Sequence, residues 1–309
     1  MAYLALTGGI GGAKLALGLA HVLGPEDVVF VVNTGDDFEH LGLHISPDLD
    51  TLTYTLAGRS NTDTGWGRGD ESWHFMAALE ELGGETWFQL GDRDLALHVE
   101  RTRMLAAGAT LTEVTRHVCA ALGIDHPILP MSDDPVRTIV HTPEGTLSFQ
   151  HYFVRDRCKP EVTGFDFQGA GEAAPNPRIL EVLEDCRGIL ICPSNPFVSV
   201  DPILAVPGMR AALKSCPAPL VAVSPIVGDR AIKGPTAKMM RELDVPSTAR
   251  QVALHYGDLL DGFLLDEQDA AQHGTLPVST AVAQSVMVTL EDRIGLAEAA
   301  VRFMEDLGG

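Results

Sequence analysis

The opening segment, residues 3–33, reads as one strand–helix–strand unit, and no other feature of the chain limits its fold as strongly. Residues 3–6 are a short apolar run that stops at a pair of glycines, and residues 13–23 carry leucines and a valine at helical spacing. Residues 28–32 are five consecutive apolar residues, mostly β-branched, as in strands that are buried on both faces. Such a unit implies two parallel strands joined by a right-handed crossover.

Strands and helices keep alternating in the second half of the chain, which favours an α/β protein. The pattern predicts further strands at 188–192, 220–224, 263–265 and 286–290, and helices at 202–214, 235–243, 248–256 and 291–307. The strands at 3–6 and 28–32 should be parallel neighbours of those at 188–192 and 220–224, and their carboxyl ends should form one cleft. We therefore predict a doubly wound, mostly parallel, Rossmann-like sheet.

The middle of the chain interrupts this alternation. Helices are predicted at 46–58, 71–82, 92–107 and 112–122, followed by a β-hairpin of residues 136–141 and 146–153 and an irregular stretch at 156–178. No Gly- or Pro-rich linker bounds this region. We expect a single domain over residues 1–309, with a helical and β-hairpin insertion, or cap, at about 59–178.

The balance of charges limits the partners of the protein. The chain has 42 acidic and 22 basic residues, which gives a formal net charge of −20. Such a field repels a phosphate backbone, so nucleic acid is not expected as a partner. An anionic small molecule is still compatible, because backbone N–H groups or a metal ion can hold phosphate locally.

Cysteines and apolar runs indicate the compartment. The five cysteines are an odd number without a C-x-x-C pair, which speaks against a disulfide framework or a zinc site. The first residues lack the basic segment and apolar run of a signal peptide, and no window approaches about 18 consecutive apolar residues. We expect a cytoplasmic protein with no membrane partner.

A glycine-rich loop, Gly8-Gly9-Ile10-Gly11-Gly12-Ala13-Lys14, connects the first strand to the first helix. Glycine lets the backbone approach a ligand closely, and a helix N-terminus offers unpaired N–H groups to an anion. The loop matches neither the dinucleotide-binding fingerprint nor a Walker A sequence. It indicates a phosphate site, and a turn without a ligand is the alternative interpretation.

Acidic residues follow the second strand and begin the next helix. They are Asp36, Asp37, Asp48 and Asp50. One of the helix acids can converge with Asp37 from the strand end, and two carboxylates beside a phosphate site suit a hard divalent cation. The alternatives are helix capping by Asp48 and a ribose contact by Asp36 or Asp37.

Polar loops bracketed by proline follow further strands. They contain Ser132-Asp133, Ser194-Asn195 and Lys233-Gly234. Ligands of open α/β sheets bind outside the carboxyl ends of the strands, so these loops are candidate ligand contacts. Arg93, Trp66 and Trp73 are candidates too, with a capping ion pair and core packing as their alternatives.

Taken in order, these motifs resemble those of the 2-phospho-L-lactate transferase family (CofD/FbiA), which acts in the synthesis of the deazaflavin coenzyme F-420. The resemblance is carried by the glycine loop, Val32–Asp37, Ser46–Thr51, Leu90–Asp94, Leu129–Pro135, Gly188–Pro196 and Ser224-Pro225-Ile226. The matching motifs extend from Gly8 to Ile226, which makes the resemblance specific.

The resemblance implies a reaction. Members of the family take a guanylylated phospho-acid and transfer the phospho-acid unit to the terminal ribityl hydroxyl of the deazaflavin Fo, while GMP leaves and Mg²⁺ assists. The acid of the donor (lactate, enolpyruvate or glycerate) stays open. The resemblance also implies a homodimer.

The resemblance further implies roles for individual residues. Asp50 and Arg93 would contact Fo, Asp37 and Asp50 would be catalytic, and Asp37, Asp48 and Asp50 would bind the metal. The implied substrate-binding residues, besides Asp50 and Arg93, are Gly8, Gly9, Gly11, Gly12, Lys14, Ser132, Asp133, Ser194, Asn195, Lys233 and Gly234.

Two other function classes are compatible with parts of the sequence. Related CofD-like proteins bind nucleotide sugars and regulate metabolism without any transfer reaction, but the full Asp48-Leu49-Asp50 and Gly91-Asp92-Arg93-Asp94 set favours the transferase. An NAD-dependent oxidoreductase is a weaker alternative, because the dinucleotide fingerprint is missing.

Overall fold

The computed structural model describes residues 1–61, 67–228, 230, 231 and 234–309. The strands are β1 (Ala2–Thr7), β2 (Val28–Val32), β3 (Phe38–His40), β4 (Leu43–Ile45), β5 (Ile128–Pro130), β6 (Arg137–Thr142), β7 (Gly145–Ser148), β8 (Gly164–Gln168), β9 (Cys186–Ile191), β10 (Leu220–Val223), β11 (Ile226–Val227), β12 (Arg230–Ala231), β13 (Gly262–Asp266) and β14 (Ser279–Ala283). The helices are α1 (Gly9–Val22), α2 (Pro47–Leu56), α3 (His74–Glu81), α4 (Asp92–Ala106), α5 (Leu111–Leu122), α6 (Pro177–Leu183), α7 (Asp201–Ala205), α8 (Met209–Ser215), α9 (Thr236–Glu242), α10 (Ala249–Tyr256) and α11 (Leu290–Gly308).

Seven parallel strands form the central sheet, in the order β14-β13-β10-β9-β1-β2-β5. The order runs outward in one direction from β1 through β2 to β5 and in the other direction from β9, so the chain reverses between β1 and β9. This is the doubly wound, Rossmann-like topology, and the fold prediction is confirmed. The four strands predicted as parallel neighbours are β2, β1, β9 and β10, and they are adjacent in that order.

Helices cover both faces of the sheet. Successive side chains of each strand point to opposite faces, so the sheet has an apolar core on each side. Leu4, Leu6 and Ile189 point into one core with α6, α8, α9 and α10, whereas Tyr3, Ala5 and Leu190 point into the other with α1, α2, α5 and α11. Every residue of β2 is buried, as its unbroken apolar run predicts.

Helix α11 packs into the second core and lies against α1. It begins with a capping box, in which the Thr289 hydroxyl accepts from the Asp292 N–H and the Asp292 carboxylate accepts from the Thr289 N–H. The predicted strand at 286–290 is therefore wrong. The edge strand is β14, seven residues earlier, and the apolar run at 286–290 leads into the helix cap. In the described part of the chain, none of the helices is long and apolar enough to cross a membrane.

The middle of the chain adds two small antiparallel sheets and one strand of the large sheet. Strands β6 and β7 form the predicted hairpin, and β8 pairs with the other edge of β6, although its residues read as irregular. Strands β3 and β4 form a second hairpin. Strand β5 lies within the span 59–178 but completes the edge of the central sheet beside β2.

Candidate active site

A cavity of about 470 Å³ lies at the carboxyl ends of β1, β9 and β10. Its wall includes the N-terminus of α1, the first turns of α2, and the loops after β9 and β10. Both Gly11 and Ser194 line it, as the prediction of a single cleft requires. Because the strand order reverses between β1 and β9, this is also where ligands of doubly wound sheets bind.

The glycines of the β1–α1 loop allow α1 to approach β9 closely. Helix α1 begins at Gly9, so these glycines belong to the loop end and the first helical turn. A Cβ atom on Gly11 would lie 2.4 Å from the Pro193 carbonyl oxygen, and one on Gly12 would lie 2.6 Å from Ser194 Oγ. The Gly8 N–H donates to Ser194 Oγ at 3.1 Å. The loop therefore joins the two strands of the switch point and turns the start of α1 to the cavity.

Asp48 and Asp36 lie beside this loop in the cavity wall. Asp48 Oδ1 accepts from the Gly9 N–H at 2.6 Å, and Asp48 Oδ2 accepts from Asn33 Nδ2 at 3.0 Å. Asn33 Nδ2 also lies 3.4 Å from Asp36 Oδ1, so one amide bridges the two acids. Burial raises the pKa of Asp48 to about 6, and burial together with Asp48 raises the pKa of Asp36 well above its usual value.

Asp37 is turned toward a different set of partners. Its Oδ2 atom accepts from the Ser46 hydroxyl at 2.7 Å and lies 3.1 Å from His44 Nε2, whereas its Oδ1 atom is buried without a hydrogen-bond partner. Asp37 is 2% exposed and does not line the cavity. Asp37 can therefore affect a ligand in the cavity through Ser46, through His44 or through the electrostatic potential of its carboxylate.

Asp50 lines the cavity and is paired with a buried arginine of α4. Arg101 Nη1 donates to Asp50 Oδ2 at 3.1 Å, and Nη2 donates to Asp50 Oδ1. His98 and Asp94, which also line the cavity, continue this network: His98 Nε2 lies 3.2 Å from Asp94 Oδ2. The Tyr54 hydroxyl donates to Asp94 Oδ1 at 2.6 Å.

This network was not predicted from the sequence, although its polar residues have a recognisable spacing. Asp94, His98 and Arg101 stand at positions i, i+4 and i+7 of α4, which places three polar side chains on one helix face. Asp50 and Tyr54 have the same i, i+4 relation on α2. Two polar helix stripes that face each other cannot be recognised until the packing of the two helices is known.

Four aromatic side chains, which we call the aromatic wall, also line the cavity. Trp87 and Phe88, in the loop between α3 and α4, line it together with Phe149 and Phe153. The Phe149 and Phe153 rings are stacked, with centroids 5.4 Å apart. Two tryptophans were candidates from the sequence. Trp73 is 47% exposed and does not line the cavity, and Trp66 lies outside the described residues.

Most predicted substrate-binding residues line the cavity. They are Gly8, Gly9, Gly11, Lys14, Asp50, Ser194, Asn195 and Gly234. Lys14 Nζ donates to the Met287 carbonyl at 2.7 Å, and Met287 is itself a wall residue. The carbonyl anchors the ammonium group in the wall.

The other predicted residues lie elsewhere. Ser132 Oγ donates to the Ala174 carbonyl, and Asp133 accepts from the N–H and hydroxyl of Thr112 at 2.7 and 2.8 Å. Arg93 is exposed near the start of α4, where Glu71 accepts from its backbone N–H. None of these three side chains lines the cavity, and Gly12 does not line it either, because it packs against Thr7 and Ser194. Lys233 lies outside the described residues.

The acids of the cavity differ in how well they suit a divalent cation. Asp48 and Asp36 accept hydrogen bonds from neutral groups, namely the Gly9 N–H and the amides of Asn33 and Gln150. Two buried carboxylates with such partners fit a cation held by oxygen ligands. Asp50, Asp94 and His98 also have ligand atoms within 4.8 Å of one another, but Arg101 already occupies both oxygens of Asp50.

Comparison with known proteins gives one consistent family. The sequence profile of the family described as 2-phospho-L-lactate transferase CofD matches residues 4–306. The chain is 42% identical over 307 residues to a phosphoenolpyruvate transferase of Kitasatospora aureofaciens, covering 97% of this chain and 96% of that one. It is 39% identical over 299 residues to a 2-phospho-L-lactate transferase of Methanosarcina mazei, covering 96% and 98%.

A solved structure has the same fold. A crystal structure of a UPF0052 family protein from Bacillus halodurans superposes with a TM-score of 0.65 and 16% identity, covering 97% of this chain and 98% of that one. At this identity the likeness concerns the fold alone. The family match over nearly the whole sequence decides the assignment: the chain is a transferase enzyme and belongs to the 2-phospho-L-lactate transferase (CofD) family.

Proposed function

We propose that this transferase moves a phospho-acid unit from a guanosine-diphosphate donor to the ribityl hydroxyl of the deazaflavin Fo and releases GMP, in the synthesis of coenzyme F-420. The observation that carries the proposal is the composition of one cavity. A glycine loop at a helix N-terminus and four aromatic side chains line this one cavity. Such a cavity suits two substrates, one of which is anionic and the other aromatic.

The donor diphosphate is assigned to the start of α1. The first-turn N–H groups of a helix and the positive end of its dipole favour an anion. Lys14 adds an ammonium group on the same wall, and Ser194 and Asn195 come from the neighbouring strand end. This assignment supplies local positive potential inside a protein whose net charge is −20.

The acceptor Fo is assigned to the aromatic wall. The deazaflavin ring is flat and aromatic, and Trp87, Phe88, Phe149 and Phe153 offer ring faces and edges to it. Asp50 lines the same cavity and can accept hydrogen bonds from hydroxyl groups. The ribityl chain would then run from the rings toward the glycine loop.

The reaction depends mainly on position and charge. The ribityl oxygen attacks the phosphorus of the phospho-acid unit, the bond to the GMP oxygen breaks, and the hydroxyl proton leaves to a cavity base or to water. Little covalent chemistry is required of the protein in such a transfer, so holding the two groups in line matters most.

Mg²⁺ is proposed as the cofactor. Asp48 and Asp36 would hold it, because they line the cavity and have neutral partners. When bound, the ion supplies neutralisation of charge on the diphosphate. The roles of Asp37 and Asp50 as metal ligands stay predictions, and their pairing with His44 and Ser46 and with Arg101 makes Asp48 the better candidate.

The phospho-acid is proposed to be enolpyruvate. Three relatives that are 40–44% identical to this chain are named phosphoenolpyruvate transferases. The methanogen relative, at 39% identity, is named 2-phospho-L-lactate transferase. Phospholactate is therefore the competing phospho-acid in the test.

The test is incubation of the purified protein with Fo, Mg²⁺, GTP, a partner guanylyltransferase and one phospho-acid at a time. Mass spectrometry of the product names the acid, and the fluorescence of Fo reports its binding directly. Transfer of enolpyruvate to Fo is the expected result. Binding of a UDP-sugar without Fo binding would instead identify a regulatory nucleotide-sugar-binding protein.

A further inference from the structure

Helices α2 and α4 meet through polar side chains at the back of the cavity wall. Asp94, His98 and Arg101 of α4 face Asp50 and Tyr54 of α2. Arg101 is only 4% exposed, so its guanidinium is out of contact with bulk water. A buried guanidinium is unfavourable unless it is paired and hydrogen-bonded, and the Asp50 carboxylate supplies both the opposite charge and two acceptors.

The contacts fix Arg101 from three elements. Its guanidinium bonds both oxygens of Asp50 on α2, and Nη1 lies 3.2 Å from His98 Nδ1 on α4 and 3.4 Å from the His44 carbonyl of β4. Arg101 itself does not line the cavity, whereas Asp50 does. Any effect of Arg101 on a bound molecule must therefore pass through a neighbour that lines the cavity, Asp50 or His98. Asp50 is the stronger candidate, because both of its carboxylate oxygens accept from Arg101.

We propose that Arg101 is a positioning residue that holds the Asp50 carboxylate in one orientation, where it accepts a hydrogen bond from the hydroxylated chain of the acceptor. The inference rests on the proposed function, in which the acceptor is Fo. A carboxylate has about four acceptor positions, and the two bonds from Arg101 leave the others for a ligand. A planar guanidinium fixes both oxygens at once, which a lysine ammonium cannot do.

A carboxylate fixed in this way is ready for the ligand. A free Asp50 side chain would lose rotamer freedom when the acceptor binds, and it would exchange ordered water for the ligand hydroxyl. With Arg101 in place, that ordering is complete before binding, so the acceptor binds more tightly. A purely structural role predicts something different, namely loss of stability with equal effects on both substrates.

The experiment compares Arg101→Lys, Arg101→Met, Asp50→Asn and the Arg101→Met/Asp50→Asn double variant. The dissociation constants of Fo, by its fluorescence, and of GDP, by calorimetry, are measured with the melting temperature. Arg103→Met is the matched control, since Arg103 lies two residues away on α4, is 63% exposed in its side chain and pairs with Glu100. GDP binding also serves as the control that each variant is folded.

The expected result is selective loss of acceptor affinity. Arg101→Lys and Arg101→Met should weaken Fo binding roughly tenfold, which corresponds to about 1.4 kcal/mol, while GDP binding changes less than about twofold. In the Asp50→Asn background, Arg101→Met should have no further effect on Fo binding, because its target is gone. Arg103→Met should bind both ligands normally.

Three outcomes overturn the proposal. The first is an unchanged Fo affinity of Arg101→Lys. This variant alone is sufficient for the test if Arg101→Met does not fold. Another is equal weakening of Fo and GDP, and the third is an undiminished effect of Arg101→Met in the Asp50→Asn background. Absence of Fo binding by the unmodified protein would overturn the proposed function as well, so the two failures are distinguishable.

Discussion

At the scale of single residues, Gly11 illustrates how one missing side chain holds the cavity together. Its backbone passes so close to β9 that a Cβ atom would lie 2.4 Å from the Pro193 carbonyl oxygen. That oxygen belongs to the main chain and cannot rotate away. The glycine is therefore needed for packing at the switch point, whether or not a phosphate binds there.

We predict that Gly11→Ala lowers the free energy of unfolding by about 1–3 kcal/mol, the usual effect of overpacking. It should also weaken donor binding, because the start of α1 must move. Thermal melts and GDP calorimetry measure the two effects. Gly171→Ala is the control, since a Cβ atom there meets nothing within 4 Å. Normal GDP binding by Gly11→Ala would contradict the assignment of the donor to this loop.

Asp48 gives a prediction about pH and metal. Its pKa is about 6 in the folded protein against an ordinary value of 3.8, so between these values the folded state keeps a proton that the unfolded state has lost. Stability is therefore lost as the pH rises through this window, by up to about 3 kcal/mol. Asp48→Asn has no titrating carboxyl group at this position, so this loss of stability at higher pH should disappear.

We expect Asp48→Asn to melt at a higher temperature than the unmodified protein above pH 6 in EDTA, with the difference vanishing toward pH 4. Mg²⁺ should raise the melting temperature of the unmodified protein at pH 7.5 and leave that of the variant unchanged. Transfer activity of the variant should fall roughly 10²-fold or more, the scale of losing one preorganised electrostatic contact. An equal rise of both melting temperatures with Mg²⁺ would remove Asp48 from the metal site.

At the scale of elements, α1 and α11 pack together through a close backbone approach. A Cβ atom on Gly18 of α1 would lie 2.1 Å from the Arg293 carbonyl oxygen of α11. Gly295, two residues further along α11, has open space where its Cβ atom would be. The same pair of helices thus contains one glycine required by packing and one that is not.

We predict opposite effects of alanine at these two glycines. Gly18→Ala should destabilise the protein by about 1–3 kcal/mol, because the helices must separate. Gly295→Ala should stabilise it by roughly 0.5–1 kcal/mol, since alanine favours a helix interior over glycine. Urea unfolding measures both. A destabilising Gly295→Ala would mean that this helix face has a partner.

At the scale of the whole molecule, net charge and local charge act in opposite directions. The chain carries a formal charge of −20, yet the proposed donor is an anion. Long-range repulsion reaches about 30 Å at 0.01 M salt but only about 8 Å at 0.15 M. Binding at the glycine loop is short-ranged and less sensitive to salt.

We therefore predict that kcat/KM for the guanosine-diphosphate donor rises by roughly two- to tenfold between 0.01 and 0.15 M NaCl, at saturating Mg²⁺. The association rate is the sensitive step, because a repulsive field slows the approach of the anion. The affinity for Fo, which has no phosphate group, serves as the control and should change much less. A fall of kcat/KM with salt would indicate that a local positive field dominates the approach.

The homodimer stays a prediction from the family resemblance. A helix packed against its own sheet needs no partner subunit, and α11 buries Leu296, Val301 and Met304 within the chain. These three side chains are therefore not available to a partner subunit. Light scattering at micromolar concentration should give twice the monomer mass of 33.0 kDa, and a monomeric mass would contradict the prediction.

The sequence by itself determined the central framework. Unbroken apolar runs predicted β1, β2, β9, β10 and β13, because strands buried on both faces need apolar residues at every position. The glycine loop predicted the ligand end of the sheet, since its position after the first strand is a local property. Of the three acids that the family resemblance predicts as metal ligands, Asp48 and Asp50 line the cavity, whereas Asp37 does not.

Only the tertiary structure decided which groups share the site. The edge strand β14 is half-exposed and poor in large apolar residues, so neighbouring Val286–Leu290 gave the stronger but wrong strand signal. The pairing of Asp50 with Arg101 joins residues 51 positions apart, and the aromatic wall joins Trp87 with Phe149. Periodicity reports which face of a helix is polar or apolar, but the partner of that face depends on how distant elements pack.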